Sequence, residues 1–442
     1  MKKTSLIGHV LEVLELIRSH SHPADSVLAD FFRRRHYLGS KDRRFIAEAL
    51  FGILRNHILL ETAVQETHDP QRSGGRVTPA NPLELYTAYA LLVMREERPA
   101  ILGDLVSLWP DPVRGVSAPQ FLDALESLVL PPAGADPVRR LSVAHSIPET
   151  IVHEWIDQFG MAEAEELCAA SNQPAPTTIR VNTLRCSVEE CQSMLGKEGV
   201  RTARMSLSPV ALVLEKRVNI QSLRTFRVGA FEIQDEGSQL LSLLMEPVRG
   251  GQVVDACAGA GGKTLHLAAL MGNEGSILAI DADRRRLEIL RERAARAGVT
   301  IVQLCEAGDS RIAQWTDRAD AVLVDAPCTG VGTFRRNPGA KMVFERQSLS
   351  EAAERQLAIL NRYARLVKPG GRVVYATCSL LREENEEVVG RFLQDHPAFH
   401  AIAASEILSR QGVSLSFPSP FLTLLPHRTG TDGFFGAVLE RK

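Results

Sequence analysis

The chain has 442 residues, of which 45% are hydrophobic and 24% charged, values typical of a globular protein with two to four domains. Its formal net charge is −2, which excludes a global positive field for nucleic acid but leaves room for local basic clusters. No apolar run reaches the roughly 18 residues of a membrane span, and the seven cysteines form no C-x-x-C pair. We therefore expect a cytoplasmic protein with reduced thiols and no membrane partner.

Residues 1–135 are predicted to form an all-helical domain. The segments LIGHVLEVLELI and DRRFIAEALFGILRNHILLETAV repeat apolar residues every three or four positions, and no strand-like alternation interrupts them. Residues 33–44, RRRHYLGSKDRR, carry six lysine or arginine residues against one aspartate. This basic stretch is equally consistent with a solvated helix end and with a patch that contacts nucleic-acid phosphates.

A small α+β module is predicted over residues 140–235. TTIRVNTLR (177–185) and VALVLEK (210–216) are typical of strands. Between them SVEECQSMLGKEG (187–199) opens with Ser187 and Glu190, the pattern of a capping box, and ends near Gly199. The segment therefore combines strands with a helix.

Residues 236–442 are predicted to form a third domain, with a doubly wound, mostly parallel sheet. Strand candidates GQVVDA, GSILAID, TIVQLC, DAVLVDA and GRVVYATC alternate with helix candidates such as DRRRLEILRERAARAG and SEAAERQLAILNRYARLVKPGG. The strands are nearly continuous apolar runs, which indicates burial on both faces. At the end of the chain, LTLLP and FFGAVLER predict a closing antiparallel hairpin.

The glycine turn in VVDACAGAGGKTLHLAAL (253–270) has two phosphate-binding interpretations. Gly262-Lys263-Thr264 matches the end of a P-loop, but Cys257 stands where that loop needs its first glycine. Gly259 and Gly261 match the start of a dinucleotide fingerprint, but Thr264 replaces its third glycine. Both matches are incomplete.

S-adenosylmethionine is the third interpretation, and it needs no phosphate site. It requires close approach of the backbone and carboxylates at successive strand ends, where Asp255, Asp281 and Asp309 stand. Each aspartate alone is typical of a helix cap or a loop. Together they favour the methyl donor.

Two cysteines also lie at strand ends. Asp325 and Cys328 follow the fourth strand, and Cys378 ends the fifth. A single cysteine is most often a core residue. We expect strands four and five to be neighbours of strand one, however, so that both thiols face the methyl donor. Without histidine partners they indicate nucleophilic catalysis rather than zinc binding.

A thiolate suits one reaction in particular. Its addition to carbon 6 of cytosine makes carbon 5 nucleophilic enough to accept a methyl group. Asp325 is the candidate for stabilising charge near ring N3. Lys263 is the candidate for lowering a thiol pKa, or else forms a surface salt bridge.

DACAGAGGKT, DAPCTGVG, RRNP, KPGGRVVYATCS, EENE and DGFFGAVLER together resemble the Sun/RsmB family of RNA cytosine-C5 methyltransferases. Upstream, FEIQDEGSQL, TIRVNTLRCSVEE and DRRFIAEALFGILRN extend the resemblance to nearly the whole chain. It implies a Rossmann-like S-adenosylmethionine-dependent methyltransferase domain with a seven-stranded sheet (236–442). It also implies an RRM-like module (140–235) and a NusB-like RNA-binding domain (1–135).

The resemblance also implies roles for individual residues. Cys378 is the nucleophile, Cys328 assists release, Asp325 contacts the base, and Lys263 supports catalysis. Arg335, Arg336 and Asn337 border the RNA, and no metal is expected. The residues implied around S-adenosylmethionine are Ala258, Gly259, Ala260, Gly261, Gly262, Lys263, Asp281, Arg286, Asp309 and Asp325.

The chain departs from the family in two places. The family usually has Ala-Pro-Gly-Gly where this chain has Gly259-Ala260-Gly261-Gly262, so the unfolded turn is more flexible. Gly339 and Met342 stand where Asp and Trp are frequent, which affects the expected RNA contacts.

The helical domain favours an enzyme that acts on bacterial 16S ribosomal RNA. We also expect the protein to be a monomer. A transfer RNA enzyme is the alternative, followed by a non-catalytic RNA-binding assembly factor and a P-loop NTPase. DNA cytosine methylation is close in chemistry, but there the Pro-Cys cysteine attacks the base, and Cys378 has no required role.

Overall fold

The structure is a computed structural model that describes residues 1–19, 23–68, 79–105, 107–109, 116–131 and 134–442. Its described residues divide into two compact units, Met1–Gln173 with Phe334–Phe344, and Pro174–Thr333 with Glu345–Lys442. In the part of the chain that is described, no helix is long and apolar enough to cross a bilayer. The division into three domains stays a prediction, because one compact unit can hold more than one family domain.

The first unit is helical, as predicted for residues 1–135; residues 20–22, 69–78, 106, 110–115 and 132–133 of that range lie outside the described residues. Buried residues such as Leu50, Ile53 and Leu54 recur on one helix face and pack into a shared core. Besides a π-helix at Tyr89–Val93, its helices are α1 (Lys3–Ser19), α2 (Ala24–Arg34), α3 (Ser40–Arg55), α4 (His57–Thr67), α5 (Pro82–Ala88), α6 (Arg98–Leu105), α7 (Ala118–Glu126), α8 (Pro137–His145), α9 (Glu149–Phe159) and α10 (Met161–Ser171).

The second unit begins with a small antiparallel sheet and its helices. The elements are β1 (Thr178–Val181), α11 (Val188–Lys197), β2 (Thr202–Arg204), β3 (Ala211–Leu214), α12 (Arg224–Arg227) and β4 (Phe231–Ile233), with strand order β2-β3-β1-β4. The predicted capping box is confirmed, because Ser187 Oγ accepts from the amide of Glu190 at 3.1 Å and Glu190 Oε2 accepts from the amide of Ser187 at 2.7 Å.

A larger mixed sheet follows. Its elements are α13 (Glu236–Leu243), β5 (Gln252–Asp255), α14 (Gly262–Leu270), β6 (Ser276–Asp281), α15 (Arg284–Ala297), β7 (Val302–Glu306), β8 (Ala319–Asp325), α16 (Arg346–Ala364), β9 (Val367–Thr377), α17 (Glu386–Asp395), β10 (Phe399–Ile402), α18 (Ala404–Arg410), β11 (Leu422–Leu424), α19 (Pro426–Thr429) and β12 (Phe434–Arg441). Within residues 252–441, all of them described, seven strands lie in the order β10-β12-β9-β8-β5-β6-β7, and β11 pairs with β12 off this path.

The predicted Rossmann-like architecture is confirmed. Strands β9, β8, β5, β6 and β7 are parallel, and the predicted terminal hairpin is the antiparallel pair β11–β12. Val253 packs into the core on one face of the sheet and Val254 into the core on the other, which explains the continuous apolar strands. One expectation needs correction: β8 lies directly beside β5, but β9 lies beyond β8.

Candidate active site

A cavity of about 1100 Å³ opens at the carboxyl ends of β5, β6, β8 and β9, within the second unit. This is where a parallel sheet of this type binds ligands. Most of the predicted site residues line it, namely Ala258, Gly259, Ala260, Gly262, Lys263, Asp281, Arg286, Asp325, Cys328 and Cys378.

Two glycines with positive φ shape the turn between β5 and α14. Gly259 has φ 54°, and a Cβ added there meets nothing within 4 Å, so this residue faces open space. Gly261 has φ 85°, and a Cβ there lies 2.0 Å from Leu290 Cδ1. Gly261 is therefore a packing residue beneath the turn rather than part of the cavity wall.

Asp281 connects the end of β6 to this turn. Its Oδ2 accepts from the amide of Gly259 at 2.7 Å and its Oδ1 from the amide of Asp283 at 2.8 Å. Each carboxylate oxygen can accept a second hydrogen bond. Asp281 is therefore fixed in place and still able to bind a ligand hydroxyl.

Asp255 ends β5 and is 1% exposed. Its Oδ2 accepts from Thr264 Oγ1 at 2.7 Å, whereas its Oδ1 has no partner. Burial raises the pKa of this carboxyl to about 7. The cavity wall thus contains an acceptor that is not yet satisfied by the protein.

Lys263 and Asp325 form an ion pair in the cavity wall, with 2.6 Å between Nζ and Oδ2. Burial acts to lower the pKa of Lys263, but the attraction of Asp325 outweighs it and raises that pKa. The ammonium group is therefore charged and engaged by a carboxylate rather than placed as a phosphate ligand. The salt bridge of Lys263 therefore lies in the cavity wall rather than on the protein surface, and its hydrogen-bond partner is Asp325 rather than a thiol.

The two cysteine sulfurs are brought together. Cys328 Sγ lies 3.3 Å from Cys378 Sγ, although 50 residues separate the two in the chain. The contact with Cys378, together with burial, raises the pKa of Cys328 well above its usual range. Cys328 is therefore held in its protonated form, and either of the two sulfurs can be the donor in this contact.

Glu384 is a site residue that sequence reasoning missed. It is fully buried, and its carboxylate accepts from the amide of Thr329 at 2.8 Å, from Thr329 Oγ1 at 2.5 Å and from Gln356 Nε2 at 2.9 Å. Gln356 Nε2 also donates to the carbonyl of Pro327 at 3.0 Å. Glu384 thus fixes the loop on both sides of Cys328. The segment EENE contributed to the family resemblance, but no role was predicted for Glu384 itself.

Asp309 does not lie in this cavity. It lines a separate recess of about 600 Å³, and its carboxylate accepts from the amide of Arg311 at 2.8 Å and from the guanidinium of Arg311 at 2.6 Å. Asp309 thus caps the short turn Ser310–Trp315. Arg286, in contrast, lies in the cavity wall, with Nε 3.7 Å from Asp283 Oδ2.

The remaining predicted residues belong to the first unit. Phe334–Phe344, which contains Arg335, Arg336, Asn337, Gly339 and Met342, is part of that unit. Arg55 Nη2 donates to the carbonyl of Arg335 at 3.0 Å, and Lys341 Nζ donates to Asn172 Oδ1 at 2.5 Å. These bonds tie the segment to helix α3 and to the end of α10.

Part of the basic stretch 33–44 is neutralised locally. Arg33 pairs with Asp30, Arg35 pairs with Glu12, and Arg44 Nε lies 2.8 Å from Glu48 Oε1. These three arginines fit the solvated-helix interpretation better than the phosphate-binding one.

Known proteins resemble the chain over its whole length. Residues 242–440 match the model of the 16S rRNA methyltransferase RsmB/F family, and residues 147–221 match the ferredoxin-like domain of RsmF/B-like methyltransferases. The chain is 33% identical over 460 residues to the probable ribosomal RNA small subunit methyltransferase B of Bacillus subtilis, with 100% of both chains covered.

Two solved structures extend this similarity to the fold. The crystal structure of PH0851 superposes with a TM-score of 0.78 at 27% identity, covering 99% of each chain. A methyltransferase homologue protein from Pyrococcus horikoshii superposes with a TM-score of 0.59 at 29% identity, covering 70% of this chain and 100% of that one. Sequence and structure therefore agree across the chain.

Proposed function

The chain belongs to the RsmB/F family of 16S rRNA methyltransferases, and from this membership we propose that it methylates carbon 5 of a cytosine in 16S ribosomal RNA. The methyl donor is S-adenosylmethionine. The observation that carries this proposal is the 3.3 Å approach of two sulfur atoms in the cavity that also contains the glycine turn. Carbon 5 of cytosine needs a nucleophile to activate it, and a thiolate supplies that activation.

The cavity suits S-adenosylmethionine in its size and its polar groups. A volume of about 1100 Å³ has room for the donor and for an unstacked base. The free acceptor positions of Asp281 suit ribose hydroxyls, and the unpartnered Oδ1 of Asp255 suits an ammonium group. When bound, the donor supplies an electrophilic methyl group on its sulfonium.

Cys378 is the nucleophile in this proposal. Cys328 Sγ lies within hydrogen-bonding distance of Cys378 Sγ, and the positive charge of Lys263 is close enough to interact with Cys378. A hydrogen-bonding neighbour and a nearby cation are the surroundings in which a cysteine acts as a nucleophile. The sulfur forms a bond to carbon 6, and the electron pair of the 5,6 double bond moves to carbon 5.

Asp325 and Cys328 act around this step. In this proposal Asp325, held by Lys263, contacts the base and stabilises charge that develops on ring N3. Release requires loss of the proton on carbon 5 and cleavage of the sulfur–carbon bond, which restores the double bond. Cys328, beside the leaving sulfur, assists release.

The target cytosine must leave its stack, because a thiol cannot reach carbon 6 inside a helix. The NusB-like helical domain and the ferredoxin-like module hold the flanking RNA in this proposal. Arg335, Arg336 and Asn337 are the predicted contacts in the segment between β8 and α16.

Substituting the two cysteines separately tests the mechanism. Cys378→Ala is expected to abolish transfer of labelled methyl groups to 16S rRNA. Cys328→Ala is expected to leave a covalent protein–RNA adduct, visible as a retarded band on a denaturing gel. The matched control is Cys186→Ala, which removes a thiol of the small module away from the cavity; Cys186 Sγ donates to the carbonyl of Ala230 at 3.8 Å. An active Cys378→Ala with an inactive Cys328→Ala reverses the two roles.

Bisulfite sequencing of total RNA from a deletion strain tests the substrate. The proposal expects a protected cytosine to disappear from 16S rRNA. Its disappearance from a transfer RNA instead assigns the alternative substrate.

A further inference from the structure

A buried ionic cluster lies beneath the glycine turn, outside the reacting groups. Its centre is Glu232 on β4, whose side chain is 2% exposed. Glu232 Oε2 accepts from Arg293 Nε at 3.1 Å and from Arg293 Nη2 at 2.9 Å, and Oε1 accepts from Arg296. Two arginines of α15 are therefore held by a carboxylate of the small antiparallel sheet.

The cluster reaches the turn through Arg293. Arg293 Nη1 donates to the carbonyl of Ala260 at 2.6 Å. Because the peptide unit is planar, this bond also fixes the amide of Gly261, which donates to the carbonyl of Ala258 at 2.9 Å. One guanidinium thus fixes the middle of the turn.

Arg180 reaches the turn from the other side. It lies on β1, directly opposite Glu232 in the antiparallel register, and is 1% exposed. Its Nη1 donates to the carbonyl of Gly262 at 2.6 Å and to Gln234 Oε1 at 2.5 Å. Gln234 itself lines the cavity. The small sheet therefore supports both the turn and part of the cavity wall.

The turn requires such support because its own residues restrict it little. Three of its four residues are glycines, and both Gly259 and Gly261 adopt positive φ. No proline limits the conformations that it samples before a ligand binds. Charge-assisted hydrogen bonds from the two arginines to the carbonyls of Ala260 and Gly262 reduce that freedom.

We propose that Arg180 and Arg293 are positioning residues of the methyl-donor site, which hold the glycine turn in its binding conformation. Glu232 fixes Arg293, so the small module takes part in donor binding as well as in any contact with RNA. This inference rests on the proposed function, since it concerns the same cavity.

Calorimetric titration of the full chain with S-adenosylhomocysteine tests the proposal. Arg293→Met is expected to raise the dissociation constant about tenfold, the change that about 1.4 kcal/mol of lost binding produces. The KM for S-adenosylmethionine should rise in parallel, while kcat at saturating donor stays within about twofold. The control is Arg291→Met, two residues before Arg293 on α15; the exposed side chain of Arg291 pairs with Glu288.

Two further variants guard against a loss of folding. Glu232→Gln keeps the shape of the side chain, and it is expected to weaken binding by a smaller factor than Arg293→Met. Ala260 does not have a positive φ, so a proline is compatible with its backbone. Adding Ala260→Pro to the Arg293→Met variant is expected to restore part of the lost affinity. A purely structural role of Arg293 predicts no such rescue.

The outcomes separate this proposal from the function itself. A wild-type chain that fails to bind S-adenosylhomocysteine contradicts the methyltransferase function. If the wild type binds and Arg293→Met binds with unchanged affinity, the positioning role is overturned. If Arg293→Met does not fold, unchanged affinity in Glu232→Gln overturns it instead. An equal loss in Arg291→Met overturns it as well.

Discussion

The two walls of the cavity are stabilised in different ways. The thiol wall, Cys328 and Cys378, is fixed by neutral and acidic side chains of the same sheet domain, above all by Glu384. The turn wall, residues 258–263, is fixed by arginines whose partner Glu232 comes from the small module. The comparison teaches that the two thiols are held within their own domain, whereas the glycine turn is also held by the module before it.

Glu384→Gln should have the largest effect and should be confined to the thiol wall. A glutamine has one acceptor oxygen and turns an amide group toward a donor, so the three bonds to Thr329 and Gln356 cannot all persist. We expect kcat to fall about 100-fold, the cost of a displaced catalytic group, with little change in donor KM. Steady-state methylation assays measure both constants.

The matched control for this change is Glu387→Gln, an exposed carboxylate on α17. Full activity is expected there. If Glu384→Gln raises the donor KM by the same factor by which it lowers kcat, the thiol wall and the turn wall are not stabilised independently.

Asp281→Asn should give the opposite pattern on the turn wall. The amide group of asparagine faces either Gly259 N–H or Asp283 N–H, so one of the two bonds to Asp281 is lost. Losing a hydrogen bond to a charged group costs about 1.5–3 kcal/mol, which corresponds to at least a tenfold weaker affinity for S-adenosylhomocysteine. Asp309→Asn is the control, because Asp309 lies in the separate recess and its change should leave that affinity intact.

Asp255→Asn should have the smallest effect, on the pH dependence of stability. The pKa of Asp255 is raised by burial to about 7, so its contribution to stability is present at low pH and is lost as the pH rises through about 7. Asparagine does not ionise. The variant should therefore lose less stability than the wild type between about pH 5.5 and about pH 8, by on the order of 1 kcal/mol.

Urea denaturation at both pH values measures this difference. If the wild type and Asp255→Asn lose the same free energy of unfolding between the two pH values, the titration does not belong to Asp255. Thr264→Val, which removes the hydroxyl that donates to Asp255, should shift the loss to higher pH.

The order of strands and helices in the second unit could be predicted because each strand is a short apolar run with turn residues on both sides. The ends of those strands then located Asp281, Cys328 and Cys378 at one edge of the sheet. Asp309 occupied an equivalent position in the sequence but turns into its own cap, bonded to Arg311. A strand end specifies an edge of the sheet, and local hydrogen bonds decide which way the side chain points.

Buried charges were the part that could not be predicted. Glutamate and arginine most often lie on the surface. Here Glu384, Glu232 and Arg180 are buried and Arg293 is half-buried, and each has a hydrogen-bond partner distant in sequence. In the sequence they resemble ordinary helix-start acids and solvated arginines.

The amino-acid sequence by itself determined the alternation of elements, the glycine turn and the two thiols that follow neighbouring strands, because these depend on local composition and spacing. Only the tertiary structure decided that the sulfurs approach to 3.3 Å, that Lys263 pairs with Asp325, and that the small sheet supports the turn. Such contacts join residues 50 or more positions apart in the chain. Short-range sequence patterns do not specify which of these distant side chains and backbone groups will be partners.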